Sequence, residues 1–194
     1  MPNFTAFLSY VVITTFTPGP NNIMAMSNAS VYGFKKSIKF NLGVFVGTVI
    51  IMVLSSILSV TLYNLIPTIK PVMTFIGASY ILWLAWKIYR SNPHGHGENN
   101  SHTNTFIAGL LLQFVNVKVI IYCVTILSTF IIPYYKSTFA LGLFAVALSF
   151  VGFLSTCSWA MFGTIFQKFL FKNEKRVNII MALLLVYTAL SFYL

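Results

Sequence analysis

Six consecutive residues inside the first long apolar stretch could hold a charged ligand, namely Thr17, Pro18, Gly19, Pro20, Asn21 and Asn22. Pro18 and Pro20 lack the N–H groups that a continuous helix would donate to the carbonyls of Thr14 and Phe16. Gly19 leaves the backbone between the two prolines free to bend. We therefore predict one half-helix that ends near Phe16 and a second that begins near Pro20, because a proline fits the first helical position.

A helix broken in this way leaves backbone groups free to bind a negative and a positive group of a ligand. The N–H groups of Asn21, Asn22 and Ile23, at the positive end of the second half-helix, suit a carboxylate. The freed carbonyls of Thr14 and Phe16 suit an ammonium group. In hydrocarbon, such a break persists only where it is buried in protein or lines a polar cavity. We therefore favour a binding site over a simple proline kink.

A second polar patch lies in the fourth apolar stretch and contains Gln113, Asn116 and Lys118. Lys118 is about 20 Å along the helix from either end of its span, at roughly 1.5 Å per residue, so its side chain cannot reach the membrane surface. A lysine at this depth costs about 3 kcal/mol and must face a cavity or a polar interior. Asn116 and Gln113 are its expected neutral partners.

The sequence contains two acidic residues, Glu98 and Glu174, and both fall in predicted loops. A structural lysine would normally pair with a carboxylate, so we expect the counter-ion of Lys118 to arrive with a substrate. The lysine would then take up a proton when the substrate binds and release it when the substrate leaves. The alternative is an ammonium held permanently by backbone carbonyls and Asn116.

The composition is typical of a helical membrane protein. Of the 194 residues, 58% are hydrophobic and 7% are charged, and the mean hydropathy is +0.85. These values exclude a soluble globular domain and a disordered chain. The continuous apolar runs differ from the short alternating segments of a β-barrel. The net charge of +10 is spread over several short loops, which indicates cytoplasmic loops rather than a nucleic-acid surface.

We predict six membrane spans, because each span needs about 20 apolar residues. The spans cover residues 4–30, 40–62, 72–89, 105–132, 138–166 and 177–193. Nine basic residues fall in three alternate loops, whereas the other loops carry only Lys70 and Lys136. The positive-inside rule therefore places both termini outside a bacterial cytoplasmic membrane. The N-terminus has no basic n-region, so we expect the first segment to be retained.

The six spans divide into two halves of three within one transporter domain. The first repeat covers about residues 1–90, a polar cytoplasmic linker covers about 91–104, and the second repeat covers about 105–194. Each half has an odd number of spans, so the halves must be inverted, as in many secondary transporters with a site at the midplane. Phe4 to Pro18 is fourteen residues and Thr105 to Lys118 is thirteen, which places the two polar patches at matching depths.

Other residues carry weaker signals. Cys123 and Cys157 fall inside apolar stretches, so we expect buried thiols rather than a disulfide. Gly43 and Gly47 form a small-xxx-small pair that predicts close helix packing. We expect no metal and no cofactor, and we interpret the linker as a solvated segment despite its three histidines, His94, His96 and His102.

These motifs resemble those of the LysE/RhtB family of amino-acid exporters, and the resemblance extends over essentially the whole chain. It rests on residues 17–21, Gly33, Gly43, Gly47, residues 77–80, Phe106, Gly109, Asn116 and Lys118. Residues 112–118, 157–160 and 178–187 are similar to the branch that exports cysteine and O-acetylserine. Most family members carry Asn-Pro-Lys where this chain has Val117 between Asn116 and Lys118, so the fourth span lacks the proline that would enforce a break.

The resemblance implies secondary active efflux of small neutral amino acids, such as cysteine or O-acetylserine, driven by the proton gradient. Two alternatives are a passive amino-acid channel and a membrane thiol oxidoreductase, which requires two thiols that can meet. Cys123 and Cys157 lie on different predicted spans, so we favour a transporter without enzymatic activity. Its expected partners are the amino-acid substrate and the lipid bilayer, and the sequence is compatible with a homo-oligomer.

Overall fold

We describe residues 4–57, 59–90 and 101–190 of the protein, as given by a computed structural model. Within these ranges the chain forms helices and no strand, which agrees with the predicted all-α class. Two predicted segments lie outside the described residues, namely most of the linker (91–100) and the end of the sixth span (191–193).

The first predicted span is broken as expected. Helix α1 covers Phe4–Phe16 and helix α2 covers Pro20–Tyr32, with Pro20 in the first turn of α2. Gly33 ends α2 with a φ of 78°, in the left-handed region that favours glycine, and its N–H donates to the carbonyl of Ala29 at 2.9 Å.

The next two helices differ from the predicted spans. Helix α3 covers Phe34–Ile57, not 40–62, so the basic residues at its start are helical. Helix α4 covers Ser59–Tyr89, not 72–89, and the predicted loop at 63–71 is part of it. The boundaries were wrong because hydropathy marks where a helix is apolar, while a helix satisfies its own backbone and can extend past that stretch.

The fourth span is also broken, although it lacks a proline. Helix α5 covers Phe106–Val115 and helix α6 covers Val117–Ile126, and their axes differ by 68° at Asn116. A π-helical turn, Leu127–Ile131, continues α6. The second polar patch therefore lies at a break, a point that the missing proline had left open, and Val117 does not prevent it.

Three helices complete the fold. Helix α7 covers Thr138–Ile165, close to the predicted fifth span, and α9 covers Glu174–Leu190 in place of the sixth. A short helix, α8, covers Gln167–Lys172, where we had predicted only a loop.

Among the described residues, α3 and α7 are each long and apolar enough to cross a membrane alone. The bent pair of α5 and α6 with its π-helical turn would be a third such span. Helix α1 is apolar but has 13 residues, fewer than the roughly 20 that a bilayer requires. It could therefore cross only together with α2.

Glycines let several helices approach backbone to backbone. A Cβ at Gly43 of α3 would clash with the carbonyl of Phe106, and a Cβ at Gly109 of α5 would clash with the carbonyl of Phe40. Helix α7 approaches α2 in the same way, because a Cβ at Gly163 would clash with the carbonyl of Met26. The packing role predicted for Gly43 is thus confirmed, and it is reciprocal.

The buried apolar side chains form two clusters, and the helix breaks divide them. The first core cluster joins α2, α5, the start of α3, and parts of α4, α7 and α9, and it includes Ile23, Phe40, Ile81, Leu112 and Leu185. The second core cluster joins α1, α6, the end of α3 and the first half of α7, and it includes Val11, Met52, Cys123, Ile126 and Leu148.

Candidate functional site

Three amide side chains tie the two breaks together. Asn21, in the first turn of α2, donates from Nδ2 to Oε1 of Gln113 at 2.8 Å, and Gln113 Nε2 donates back to Asn21 Oδ1 at 3.1 Å. Asn116 donates from Nδ2 to the same Asn21 oxygen at 3.1 Å. Gln113 is fully buried and also donates to the carbonyl of Gly109 at 2.8 Å. Because these amides hydrogen-bond one another, they fix the start of α2 against α5.

Side chains from other helices bind the last carbonyls of α1. Asn22 donates from Nδ2 to the carbonyls of Thr15 and Thr17, at 2.9 and 3.0 Å. The hydroxyl of Ser155, on α7, lies 2.9 Å from the Thr15 carbonyl and 3.2 Å from Asn22 Oδ1. These contacts replace the hydrogen bonds that the backbone loses where α1 ends.

Two further carbonyls at this end each accept one hydrogen bond from the protein. Trp159 donates from Nε1 to the carbonyl of Phe16 at 3.2 Å, and the Thr17 hydroxyl donates to the carbonyl of Thr14 at 3.3 Å. A carbonyl oxygen can accept a second hydrogen bond, as that of Thr15 does from Asn22 and Ser155. Binding of an ammonium by the carbonyls of Thr14 and Phe16 therefore stays a prediction.

We expected three N–H groups in the first turn of α2 to be free, and two of them have no acceptor within the helix. Ile23 donates its N–H to the carbonyl of Gly19 at 2.9 Å, so that group is already used. Asn21 and Asn22 follow Pro20 in the first turn of α2, where N–H groups have no acceptor within the helix. The start of α2 therefore retains an anion-binding character with two donors.

Lys118, near the start of α6, reaches across to the end of α1. Its Nζ lies 3.0 Å from the Thr17 hydroxyl oxygen, 3.3 Å from the Thr17 carbonyl and 3.4 Å from the Pro18 carbonyl. Asn116 and Gln113, the partners that we predicted for it, bind the start of α2 instead. The ammonium is thus held by backbone carbonyls, as in our alternative interpretation, with a hydroxyl in the place of Asn116.

Gly19 is required by this lysine rather than by its own backbone conformation. Its φ of −172° is extended and open to any residue. A Cβ at Gly19 would lie 3.1 Å from Nζ of Lys118 and 3.3 Å from its Cδ. The glycine therefore makes room for the lysine side chain between the two breaks.

A cavity opens between the two breaks, and we call it the central cavity. It contains about 530 Å³ of empty space, part of which is continuous with solvent. The polar part of its wall comes from both breaks and includes Thr14, Thr15, Asn21, Asn22, Asn116 and Lys118. The apolar part includes Val44, Val119, Leu148 and Gly152.

Two features give the polar part of the central cavity a positive character. The N-terminal ends of α2 and α6 both lie at its wall, and each carries a partial positive charge. Lys118 adds a cation, and none of the described residues that line the cavity is acidic. The cavity is therefore suited to a carboxylate.

One buried acceptor of the wall has no partner among the described residues. Oδ1 of Asn116 makes no hydrogen bond with them, although the residue is 1% exposed. The hydroxyls of Tyr122 and Thr15 lie near each other, but neither completes a hydrogen bond of ordinary geometry. Buried polar atoms are rarely left without a partner, so each of these atoms could bind a water molecule or a polar group of a ligand.

A wider cleft lies beside the central cavity, and we call it the side cleft. Tyr10 of α1, Ile121 of α6 and Tyr187 of α9 contribute to its wall. Thr14, Lys118 and Tyr122 line both spaces. These three side chains therefore form the partition between the central cavity and the side cleft.

All nine residues that the sequence marked as a site come together in this region. The hydrogen bonds above join Asn21 to Gln113 and Asn116, and Lys118 to Thr17 and Pro18. The other three predicted residues line the central cavity, namely Gly19, Pro20 and Asn22.

Sequence reasoning missed the contribution of α7. Ser155 and Trp159 bind carbonyls of α1 that are more than 130 residues earlier in the chain. From the sequence, Trp159 and Ser158 are only weak candidates for cavity residues deep in the fifth span, and Ser155 is not singled out. Their signal would have been the four-residue spacing, which places both on one face of a helix.

The two cysteines do not form a disulfide. Cys123 is fully buried in the second core cluster, whereas Cys157 accepts a hydrogen bond from Asn41 of α3 at 3.6 Å. Each thiol lies in a different environment, so the structure offers no dithiol site among the described residues.

Comparison with known proteins agrees with this geometry. The family model described as LysE type translocator matches residues 12–194. The chain is 39% identical over 190 residues to proteins named cysteine/O-acetylserine efflux protein from Escherichia coli (strain K12), Shigella flexneri and Shigella sonnei (strain Ss046). The aligned region covers 97% of this chain and 96% of each relative. No solved structure matches the chain. The chain belongs to the LysE family of translocators, which are transporters and not enzymes.

Proposed function

We propose that this protein exports small neutral amino acids, including cysteine and O-acetylserine, from the cytoplasm, and that the central cavity is the substrate site. The observation that carries the proposal is the meeting of two helix breaks around one cavity with a lysine, two helix N-termini and an unpartnered amide oxygen. The names of the related efflux proteins support the substrate class.

The charges of the cavity suggest how an amino acid would bind. Its carboxylate would lie against the first turn of α2, within reach of Lys118, because both features favour an anion. Its ammonium would donate to Oδ1 of Asn116, which has no partner among the described residues. The carbonyls of Thr14 and Phe16 each accept one hydrogen bond and could accept a second from the same ammonium.

We further propose that Lys118 couples transport to the proton gradient. None of the described residues that line the central cavity is acidic, and among them Lys118 is the group best placed to carry a proton. In the structure the Thr17 hydroxyl and the carbonyls of Thr17 and Pro18 hold its ammonium. Export driven by an inward proton gradient requires the proton and the substrate to occupy the site in turn, the reverse of the order that we expected from the sequence. Lys118 would therefore give up its proton to the cytoplasm as the positively charged ammonium of the substrate enters, and regain one from outside after the substrate leaves.

The proposed architecture is six spans in two inverted repeats, with both termini outside the cytoplasmic membrane. In such a plan α3 corresponds to α7 and α4 corresponds to α9, and helices related by a central axis often meet at that axis. The contacts of α3 with α7 and of α4 with α9 fit this plan. The excess of basic residues in three alternate loops supports the orientation. Labelling single cysteines at Lys136 and at position 95 with an impermeant reagent tests it, since only the first should react from outside.

The function is tested by uptake of labelled cysteine and O-acetylserine into everted membrane vesicles. We expect uptake that depends on the protein and rises when the inside of the vesicles is made more acidic than the outside, because that side corresponds to the exterior of the cell. Uptake that ignores the gradient would favour the passive channel, and no uptake of either compound would contradict the proposal.

Substitution of Lys118 tests whether this residue couples substrate transport to the proton gradient. Lys118→Met should abolish gradient-driven uptake while the protein remains in the membrane, because the proton carrier is lost. Lys118→Arg should also fail to respond to the gradient, since a guanidinium stays protonated. Gradient-dependent uptake by the Lys118→Met variant would show that Lys118 has a purely structural role.

A further inference from the structure

One wall of the central cavity is kept open by a glycine of α7. Gly152 lines the cavity, and a Cβ built on it would meet no atom within 4 Å. The other glycine of the wall, Gly19, has no such space, because a Cβ there would lie 3.1 Å from Nζ of Lys118. The free volume of the cavity is therefore on the α7 side.

The neighbours of Gly152 along α7 form a single stripe that faces the same cavity. Leu148 and Thr156 lie four residues before and after it, and residues spaced by four share one face of a helix. All three line the cavity. Both flanking side chains are well buried, with Leu148 at 5% and Thr156 at 2% exposed. Gly152 is thus a gap between two filled positions.

The part of the wall around Gly152 differs in chemical character from the part that carries charge. The α7 stripe, together with Val44 of α3, presents small or apolar groups. Asn21, Asn116 and Lys118 present the groups that would bind an amino acid's charges. A ligand whose charged end is held by the breaks would direct the rest of its structure towards the apolar wall.

We propose that Gly152 receives the side chain of the transported amino acid and sets the largest side chain that can be exported. The proposal rests on the function proposed above and adds a size limit to it. A larger residue at position 152 would fill the space that the substrate side chain uses. Small substrates would then be affected less than large ones.

The test compares Gly152 with Gly142, which offers a matched control. Gly142 is also on α7, is also partly exposed, has no atom within 4 Å of a built Cβ, and is not in the wall of the central cavity. Substitutions at both positions change the helix propensity of α7 equally. Any difference between them therefore reports on the cavity.

The readout is uptake of labelled O-acetylserine into everted vesicles, in competition with unlabelled glycine, alanine, serine, valine and leucine. In Gly152→Ala, the largest amino acid that still competes should become smaller by one or two carbons, because each added methyl group occupies that volume. Gly152→Leu should lower uptake by at least about tenfold, whereas Gly142→Leu should stay within about twofold of the original protein. Protein in the membrane is quantified for each variant.

Three results would overturn the inference. The first is an unchanged competitor profile in Gly152→Ala, which is decisive even if Gly152→Leu does not fold. The second is an equal effect of Gly142→Leu and Gly152→Leu on uptake per molecule of protein. The third is a competitor profile of the original protein that shows no dependence on size. Failure of the proposed function is distinct, because the original protein would then take up no labelled amino acid.

Discussion

The two core clusters are built by different kinds of contact. In the first, glycines bring backbones together, at Gly43, Gly109 and Gly163. In the second, aromatic rings make the contacts between α1 and the far end of the fourth span. Tyr10 stacks on Tyr122 with ring centroids 5.9 Å apart and on Phe130 at 6.0 Å.

This difference bears on which region can change shape. Backbone contacts at glycines cannot be relieved by rotating a side chain, so the helices around the first core cluster must separate as whole bodies. Ring contacts can open when a side chain changes rotamer. The side cleft borders the second region, and Tyr10 and Tyr122 both line it. We therefore expect the cavity to connect with the side cleft more readily than through the first core cluster.

Overpacking a glycine contact around the first core cluster should have the largest effect on the stability of the protein. Gly43→Leu places a branched side chain against the carbonyl of Phe106 and should reduce the free energy of unfolding by about 3 kcal/mol or more. Thermal unfolding in detergent, followed by size-exclusion chromatography, measures the loss. Gly142→Leu is the control and should unfold at close to the original temperature. Equal stability of the two variants would remove the contrast between the regions.

Joining α1 and α2 into one continuous helix should reduce transport strongly without unfolding the protein. Pro18→Ala combined with Pro20→Ala allows α1 and α2 to form one helix, because both positions regain an N–H donor. A shift of about 1 Å in a site can reduce its rate by about a hundredfold, so uptake in vesicles should fall by that order. Normal uptake by the double variant would mean that the break is only a packing feature.

Weakening the aromatic contacts of the second core cluster should lower the free energy of unfolding by a smaller amount. Tyr10→Ala removes two ring contacts and should lower the free energy of unfolding by about 1–2 kcal/mol. A cysteine introduced at Thr14, in a background without Cys157, should then react faster with a thiol reagent, because Thr14 lies in the partition. A stability loss as large as that of Gly43→Leu would contradict our distinction.

The smallest effect is expected at the junction of α1 with α7. Ser155→Ala removes one hydrogen bond to the Thr15 carbonyl, which keeps its bond from Asn22, so the cost should be about 1 kcal/mol. Trp159→Phe should cost more, since no other donor to the Phe16 carbonyl is present among the described residues. The reverse order, measured by thermal unfolding of both variants, would show that the serine is the main anchor.

The position of the first break could be predicted because its cause is local, whereas the break at Asn116 could not, because Val117 stands where a proline would enforce it. Pro18 and Pro20 remove backbone donors whatever surrounds them, and a mid-span lysine such as Lys118 must find a polar environment. The partners of these groups could not be predicted. Lys118 binds Thr17, and Ser155 binds Thr15, across separations of 101 and 140 residues.

Two other features of the site were hidden for a different reason. A glycine in an apolar helix usually indicates close packing, as Gly43 does, so the sequence cannot show that Gly152 faces empty space. The Asn116 side chain was expected near the lysine because the two are neighbours in sequence. The 68° bend at Asn116 turns its amide towards Asn21 instead.

The anchored end of α1 has a mechanical consequence. Side chains of α2, α6 and α7 bind four successive carbonyls, from Thr15 to Pro18, so the C-terminal end of α1 is anchored beside the central cavity. The 13 residues of α1 span about 20 Å, so a tilt of ~10° about the anchored end would move Phe4 by roughly 3 Å. A displacement of less than 1 Å beside the central cavity would accompany this larger movement at the other end of the helix.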